Sequence, residues 1–221
     1  MTQEPTYELI YWGIRGLGAI CRVALVYSGV PFKDSRTTTW YAQEGSERPA
    51  LTAANPLMNL PVLILPSGES IAQTQAILRY VVRNGNLKPQ SETDAIRIDQ
   101  VYETLMDFHT EWLKMTYGEK AKDNIDGFFA ETVPYYLGVL EQFAVKNNTE
   151  FLASGYVSIA DLLFYEKVAG LEKLKGGLDW AAAYPKIVAS YKKVLALPQL
   201  QAYFEAEKAV PFNSPDYAAW S

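Results

Sequence analysis

Three positions in the first third of this sequence carry groups that can bind and activate a small ligand. Tyr11 ends a β-rich run, and its phenol can donate a hydrogen bond to an anion such as a thiolate. Leu60 precedes Pro61, which opens an apolar run although it has no N–H to give to a sheet. Thr74 stands at the expected start of a helix, where free N–H groups attract anions. The chemistry that these positions suit is the binding of an extended, anionic ligand.

Each of these positions also has an ordinary structural explanation. If the Leu60–Pro61 bond is cis, the turn presents the N–H and C=O of Leu60 to solvent, and a peptide-like ligand can pair with them as an added strand. An ordinary turn proline explains the same residues equally well. Gln73 and Thr74 can hold a carboxylate, or Thr74 can simply cap its helix. Tyr11 can also be a half-buried core tyrosine, which is the more common case among the 15 tyrosines of this chain.

Hydrophobic periodicity predicts the elements that position these residues. The first third is predicted to run β-α-β, then β-β-α, with strands at 7–12, 30–39, 61–65 and 69–72 and helices at 15–28 and 73–84. A proline at the start of the third strand in this order indicates a thioredoxin-like α+β domain over residues 1–87. After a polar linker at 86–91, an all-helical domain is predicted over residues 92–221, with helices at 93–117, 134–146, 184–195 and 198–207 and a capping box at 158–161 before an apolar run.

Composition excludes several classes of protein. The chain of 221 residues is 49% apolar and 20% charged with a net charge of −5, and no dense Lys/Arg cluster marks a nucleic-acid or anionic-membrane binder. One Cys and one His allow neither an intrachain disulfide nor a His-rich metal site. Because the sequence contains neither a signal peptide nor an apolar run of membrane-spanning length, the cytosol is the expected compartment.

Five motifs stand in order along nearly the whole chain: YWGIRGLGAICRVAL, NLPVL, IAQTQAILRYV, VSIADLLFYE and AAYPKIVASYKKVLALPQLQAYF. Each is modest alone, but together they resemble the cytosolic glutathione transferases of the tyrosine type, and the opening motif is most similar to the mu class. The resemblance implies conjugation of glutathione, the co-substrate, to small hydrophobic electrophiles in detoxification. It also implies a cytoplasmic homodimer that needs no metal.

The resemblance assigns roles to individual residues. Tyr11 is the implied catalytic residue, which donates to the glutathione sulfur, and Leu60 is implied to pair its backbone with the cysteinyl unit. Trp40 and Arg48 match residues that hold the glycyl end, although the segment around them is two residues longer than in close relatives. The further implied glutathione contacts are Trp12, Asn59, Gln73, Thr74 and, contributed from the partner subunit, Asp107. The helical domain is implied to complete a hydrophobic substrate site with Ile14, Leu113 and Tyr117.

Other features limit the assignment. Leu57 and Met58 stand where some classes place an aromatic residue that anchors the dimer interface. Their presence predicts that this anchoring contact is weak or absent. The class stays open between mu-like, sigma-like and a separate lineage. A non-catalytic glutathione or ligand carrier, or a structural protein, is one alternative function, and a glutathione-dependent isomerase similar to sigma-type prostaglandin D synthase is another. The C-terminal tail at 210–221 either folds over the substrate site or trails in solvent.

Overall fold

The computed structural model describes residues 6–119, 121–175 and 180–220, and the chain divides into two units. The first comprises Met1–Leu87 with Ala202–Pro211, and the second comprises Lys88–Gln201 with Phe212–Ser221. The division near residue 87 falls in the polar stretch read as a linker. Ala202–Pro211 belongs to the first unit, so its predicted place in the helical domain is wrong.

A four-stranded mixed sheet in the order β2-β1-β3-β4 forms the centre of the first unit. Strand β1 (Tyr7–Trp12) runs parallel to β2 (Phe32–Thr37) and antiparallel to β3 (Val62–Ile64), which pairs antiparallel with β4 (Ser70–Ala72). Successive side chains of β1 are buried on both faces of the sheet, as expected of an inner strand that is covered on both sides. The predicted α+β, thioredoxin-like class is confirmed.

Three helices accompany this sheet. Helices α1 (Gly16–Tyr27) and α3 (Thr74–Asn84) pack against each other, and both were predicted from their apolar residues. Helix α2 (Arg48–Ala54) was not predicted. None of its residues is buried, so it has no apolar stripe and leaves no periodic signal in the sequence.

Buried polar contacts fasten the C-terminal segment to the first unit. The phenol of Tyr203 donates to the carbonyl of Ala19 at 3.2 Å, and the N–H of Arg15 donates to the carbonyl of Pro211 at 2.8 Å. Arg36 donates to the buried carboxylate of Glu207. These contacts explain why the segment belongs to the sheet-containing unit although it follows the helical one in sequence.

Helices build the second unit: α4 (Glu92–Tyr117), α5 (Ala121–Gly127), α6 (Val133–Asn147), α7 (Ile159–Lys175) and α8 (Pro185–Leu195), with α9 (Gln201–Glu207) beginning at its edge. A π-helical turn over Phe128–Thr132 joins α5 to α6. Pro134 accounts for this turn, because proline has no N–H for the helical ladder and its ring clashes with the carbonyl four residues earlier. Within the described ranges, no helix has the length and apolar character needed to cross a membrane.

The predicted capping box opens α7 in a modified form. Asp161, 1% exposed, accepts the N–H of Ser158 at 2.9 Å, as a capping box requires. The hydroxyl of Ser158 donates to the same carboxylate at 2.7 Å. The other carboxylate oxygen accepts the N–H of Leu152 at 2.9 Å and the hydroxyl of Ser190 at 3.1 Å. One buried carboxylate therefore joins the start of α7 to the preceding loop and to α8.

A buried basic pair lies between α4 and α7. Lys167 Nζ and His109 Nδ1 are 2.8 Å apart, and both side chains are buried. Burial lowers the pKa of Lys167 to about 8, and the neighbouring Glu166 partly opposes that effect. Burial, followed by the nearby Lys167, lowers the pKa of His109 to about 2. The folded protein therefore disfavours a proton on either residue.

Replacing Lys167 with methionine is expected to remove a dependence of stability on pH, because methionine carries no titratable group. The folded pKa of Lys167 is about 8 and its ordinary value is 10.5. Across that window the unfolded chain binds more protons, so the free energy of unfolding of the wild type rises with pH. The variant is expected to lose this rise. Urea unfolding at pH values from 7 to about 10 measures it.

Lys192→Met is the matched control, because Lys192 is exposed on α8. The control should keep the wild-type dependence of stability on pH. If Lys167→Met also keeps that dependence, the buried amine is not held with a lowered pKa.

Candidate active site

Tyr11 is the penultimate residue of β1, and its phenol lies over the start of α1. The side chain is 7% exposed, and its oxygen accepts the N–H of Leu17 at 3.1 Å. A Cβ added to Gly16 would lie 2.6 Å from that oxygen, and one added to Gly18 would lie 2.3 Å from the ring. The two glycines are therefore required for the phenol to reach the helix N-terminus. Because accepting a hydrogen bond polarises a hydroxyl, the Leu17 N–H makes Tyr11 a stronger donor.

Arg22 supports the loop that follows Tyr11. Its guanidinium is buried and donates to the carbonyls of Trp12 at 3.2 Å and Ile14 at 3.0 Å. The same group pairs with Asp34 at 2.9 Å and lies 5.8 Å from the centre of the Tyr11 ring. A buried charge is stable only when paired and hydrogen-bonded, and these contacts satisfy that need while fixing the loop.

The register of the sheet brings three of the predicted segments to one end. Ile10 lies opposite Val62, and Val62 lies opposite Ala72. At this end of the sheet, Trp12 is the last residue of β1, Leu60 lies two residues before β3, and Thr74 lies two residues after β4. The binding residues that the sequence predicts near positions 11, 60 and 73 therefore share a single edge of the sheet.

The Leu60–Pro61 bond is cis, which is the geometry that the ligand-pairing hypothesis assumes. The N–H of Leu60 donates to Asn59 Oδ1 at 3.0 Å. This N–H therefore has a local acceptor in the neighbouring side chain, and its pairing with a ligand stays a prediction. A ligand that pairs with the Leu60 N–H must take the place of the exposed Asn59 side chain.

Gln73 and Thr74 form the junction between β4 and α3. Gln73 has φ 72° and ψ 119°, a backbone conformation that residues other than glycine rarely adopt. It is the N-cap residue and makes no side-chain cap hydrogen bond, so the expectation that Thr74 caps the helix is wrong. Thr74 is the first helical residue and is 8% exposed. A strained backbone at a helix start is a feature of ligand sites, and the α3 N–H groups there suit an anion.

An aromatic stack lies beside this edge. The rings of Trp12 and Tyr41 are 5.8 Å apart, and the guanidinium of Arg48 lies 4.9 Å from the centre of the Tyr41 ring. Arg48 is exposed at the first position of α2. The Tyr41 ring therefore contacts both Trp12 and an exposed cation, and the contact of Arg48 with the glycyl end of a ligand stays a prediction.

Trp40 does not lie in that stack but in a buried apolar cluster with residues of β1, β3 and β4, against which Trp12 and Leu60 pack. The indole is 1% exposed, and among the described residues its Nε1 has no hydrogen-bond partner. The structure gives Trp40 a packing role. Its contact with the glycyl end of a ligand stays a prediction that requires the cover over Nε1 to open.

The remaining predicted residues differ in exposure. Ile14 is half-buried after β1, whereas Asp107, Leu113 and Tyr117 are exposed on α4, the last two at 39% and 42%. The phenol oxygen of Tyr117 accepts the N–H of Ser214 at 2.9 Å. Sequence reasoning missed the Leu17 N–H, Tyr41 and Ser214, whose positions follow only from the folded backbone.

The thiol of Cys21 is not part of this site. It is fully buried in α1, and burial raises its pKa to about 12. Because the thiolate is the reactive form of cysteine, this residue is inert at neutral pH. Any sulfur nucleophile at the sheet edge must come from a ligand.

Comparison with known proteins identifies the class to which this fold and site belong. The family model described as "Glutathione S-transferase, N-terminal domain" matches residues 7–83, and the one described as "Glutathione S-transferase, C-terminal domain" matches residues 106–207. The chain belongs to the glutathione S-transferase family.

Individual relatives indicate which classes within the family this chain is similar to. Glutathione S-transferase 1 of Ascaris suum is 27% identical, covering 94% of this chain and 100% of that protein. Hematopoietic prostaglandin D synthase of Gallus gallus is 28% identical, covering 91% and 96%. The structure of prostaglandin synthase D of Nilaparvata lugens aligns with a TM-score of 0.74 at 30% identity, covering 94% of this chain and 100% of that one. The similarity points to sigma-type and nematode enzymes and gives the mu-like reading no specific support.

Proposed function

We propose that this protein is a cytoplasmic glutathione transferase that joins the sulfur of glutathione to small hydrophobic electrophiles in detoxification. The observation that carries the proposal is Tyr11, whose buried phenol accepts the Leu17 N–H at 3.1 Å near the end of β1. We propose glutathione as the co-substrate and no metal. Family membership supports the proposal.

The residues at the sheet edge suit glutathione. The α3 N-terminus has no side-chain cap, so its N–H groups can take the γ-glutamyl carboxylate beside Gln73 and Thr74. The Leu60 backbone can pair with the cysteinyl unit once Asn59 turns away. Arg48 with Trp12, and Trp40 if its cover opens, are proposed to hold the glycyl end.

Tyr11 is proposed to favour the thiolate. A free thiol has a pKa near 8.5, so only a few per cent is ionised at neutral pH. The Tyr11 O–H donates to the sulfur anion and stabilises the thiol much less, which lowers the thiol pKa. The chain then confines an electrophile beside the sulfur, so that the two reactants meet in a favourable orientation. Ile14, Leu113 and Tyr117 are the residues proposed to contact that electrophile.

Titration of the thiolate absorbance of glutathione bound to the wild-type protein tests this function. We expect the bound thiol to ionise roughly one to two pH units below free glutathione. Binding with an unshifted pKa would support the carrier alternative instead. No binding would leave only the fold and the family.

We also propose a homodimer in which Asp107 acts on the partner's site. Asp107 is exposed on α4, and apolar Leu57 and Ile96 are 72% and 52% exposed, as expected of surfaces that a second copy covers. Asp107→Asn is expected to raise KM for glutathione about fivefold with little change in kcat, because it removes a charge partner of the γ-glutamyl amine. Steady-state kinetics measures the change, with exposed Asp99→Asn on the same helix as control.

A mixed dimer of one Asp107→Asn subunit and one Tyr11→Phe subunit tests action across the interface. If Asp107 acts on the partner's site, one of the two sites has both residues intact and keeps the wild-type KM. If Asp107 acts within its own subunit, the only site with Tyr11 lacks Asp107 and shows the raised KM. An active monomer by light scattering would also contradict the composite site.

A glutathione-dependent isomerase of the prostaglandin D synthase type is the second candidate. It is favoured by the prostaglandin D synthases of Gallus gallus and Nilaparvata lugens, to which the chain is 28% and 30% identical. Both functions use the same thiolate. Turnover of a prostaglandin endoperoxide without loss of free glutathione would favour the isomerase, and consumption of glutathione with an aryl halide would favour the transferase.

A further inference from the structure

The C-terminal tail, residues 212–220, packs on the second unit along the end of α4. The N–H of Ala219 donates to the carbonyl of Thr116 at 2.9 Å, one of the last α4 carbonyls, which have no partner within the helix. Trp220 Nε1 lies 3.4 Å from the carbonyl of Ala121. Phe212 sits so close to Gly170 that an added Cβ there would be 3.1 Å from its ring. The tail therefore does not trail in solvent.

Asn213 fastens this tail from its buried side. The side chain is 4% exposed. Its Oδ1 accepts the indole N–H of Trp112 on α4 at 3.0 Å, and its Nδ2 donates to the carbonyl of Trp220 at 2.8 Å. A carboxamide offers an acceptor and a donor on one planar group, so this residue ties α4 to the far end of the tail. Replacing it leaves buried polar groups unpaired, which is costly.

The residue after Asn213 holds Tyr117. The N–H of Ser214 donates to the Tyr117 phenol oxygen at 2.9 Å. Burial raises the pKa of Tyr117, and the hydrogen bond from Ser214 partly opposes that rise, so the phenol keeps its proton at neutral pH. The accepted hydrogen bond takes up one side of the oxygen, which directs the O–H toward another side.

We propose that Asn213 is a positioning residue for Tyr117: by fastening the tail, it places the Ser214 N–H that orients the Tyr117 phenol as a donor to the electrophile. The inference rests on the proposed function, because it concerns the electrophile half of the same reaction. The oriented Tyr117 phenol is expected to favour some classes of electrophile over others, which the glutathione-binding residues do not do.

The selectivity follows from where charge develops. In addition to an α,β-unsaturated ketone, the sulfur anion forms a C–S bond at the β-carbon, and the π-electron pair moves so that negative charge reaches the carbonyl oxygen, which later takes a proton from solvent. An oriented O–H stabilises that oxygen. In displacement on a chlorodinitrobenzene, a C–S bond replaces the C–Cl bond, chloride leaves with its electron pair, and the transient charge lies on the nitro groups. Loss of the oriented phenol should therefore affect the ketone more.

Kinetics with both electrophiles tests the proposal in wild type, Asn213→Ala, Tyr117→Phe and the double variant. Each single variant is expected to lower the ratio of kcat for the ketone to kcat for the chlorodinitrobenzene about five- to tenfold. The double variant is expected to show no further fall, because both changes remove one interaction. Asn124→Ala, an exposed residue of α5, should keep the wild-type ratio. An unchanged ratio in Asn213→Ala, or additive losses, would mean a merely structural role and overturn the proposal.

Carbon NMR of the tyrosine rings tests the placement without catalysis, with Tyr117→Phe identifying the signal. Ser214→Pro removes the donating N–H, so the Tyr117 pKa is expected to rise. Asn213→Ala is expected to lower it, because the lifted tail no longer buries the phenol. A Tyr117 pKa unchanged in both variants overturns the proposal. If both changes in the Tyr117 pKa occur in a protein that has no conjugating activity, the placement of Tyr117 by the tail is upheld and the proposed function fails. If Asn213→Ala does not fold, Ser214→Pro decides both measurements.

Discussion

Phenylalanine at position 11 is expected to lower kcat/KM for conjugation roughly eight- to twenty-five-fold near neutral pH, with little change in the affinity for glutathione. A hydrogen bond from a hydroxyl to a charged sulfur contributes about 1.5–3 kcal/mol, which corresponds to roughly one to two units in the thiol pKa. Tyr11→Phe removes that bond, so the thiol pKa rises and the thiolate fraction falls. The pH dependence of kcat/KM and the thiolate absorbance of the bound complex both measure the shift.

The pH profile separates this cause from damage to the fold. Above the raised thiol pKa of the variant, its activity should approach that of the wild type, because both then hold mostly thiolate. The phenyl ring keeps its packing over Gly16 and Gly18, and loss of the acceptor for the Leu17 N–H is expected to lower the free energy of unfolding by only about 1 kcal/mol. Tyr135→Phe, an exposed tyrosine of α6, serves as the matched control. Equal activity in Tyr11→Phe and wild type would remove Tyr11 from the mechanism.

The elements that were predicted from sequence are those with a buried face. Helix α3 alternates buried Ile77, Leu78 and Val81 with exposed positions, and this spacing reveals it without a structure. Helix α2 buries no residue, and α5 buries only Ala121, so neither leaves a periodic pattern. The π-helical turn depends on how the chain accommodates Pro134, which a periodicity argument does not address.

In the candidate site, some residues were predicted from their type and position, whereas their supporting contacts were not. Tyr11, Leu60 and Thr74 were predicted because their residue types suit a ligand at strand and helix ends, and the sheet register explains why they share an edge. The Leu17 N–H that supports Tyr11 is a backbone group, which no residue type reveals. Arg22 did have a signal, as a single charge in an otherwise apolar helix. Its contacts with the loop carbonyls nevertheless depend on the folded turn.

Asn213 illustrates what sequence cannot supply. Its partners Trp112 and Trp220 are far from one another in the chain, and their juxtaposition requires the tail to return along α4. A tail with aromatic residues predicts packing of some kind, but not the surface that it covers. The choice between a packed tail and a trailing one therefore needed the structure.

Asparagine at position 161 is expected to destabilise the protein by about 2–4 kcal/mol, the largest stability effect of any substitution considered for this chain. Each oxygen of the Asp161 carboxylate accepts one backbone N–H and one hydroxyl. Oδ2 accepts both from Ser158, and Oδ1 accepts the N–H of Leu152 and the hydroxyl of Ser190. The isosteric amide keeps one acceptor oxygen and turns an NH₂ group toward the other pair of donors. Whichever way it turns, one buried backbone N–H loses its acceptor, either that of Ser158 at the start of α7 or that of Leu152 in the preceding loop. Urea unfolding measures the loss as a lower midpoint at unchanged slope.

Asp123→Asn is the matched control, because Asp123 is exposed on α5 and should change the free energy of unfolding by less than about 0.5 kcal/mol. The cost at position 161 should also depend on pH. Burial raises the pKa of Asp161, and the four hydrogen bonds oppose that rise. A folded pKa above the unfolded value means that the folded state binds the extra proton, so this carboxylate contributes less stability as pH rises through that window. The asparagine variant cannot titrate and should lack this component. A variant as stable as the wild type would mean that the preceding loop and α8 hold the start of α7 without the carboxylate.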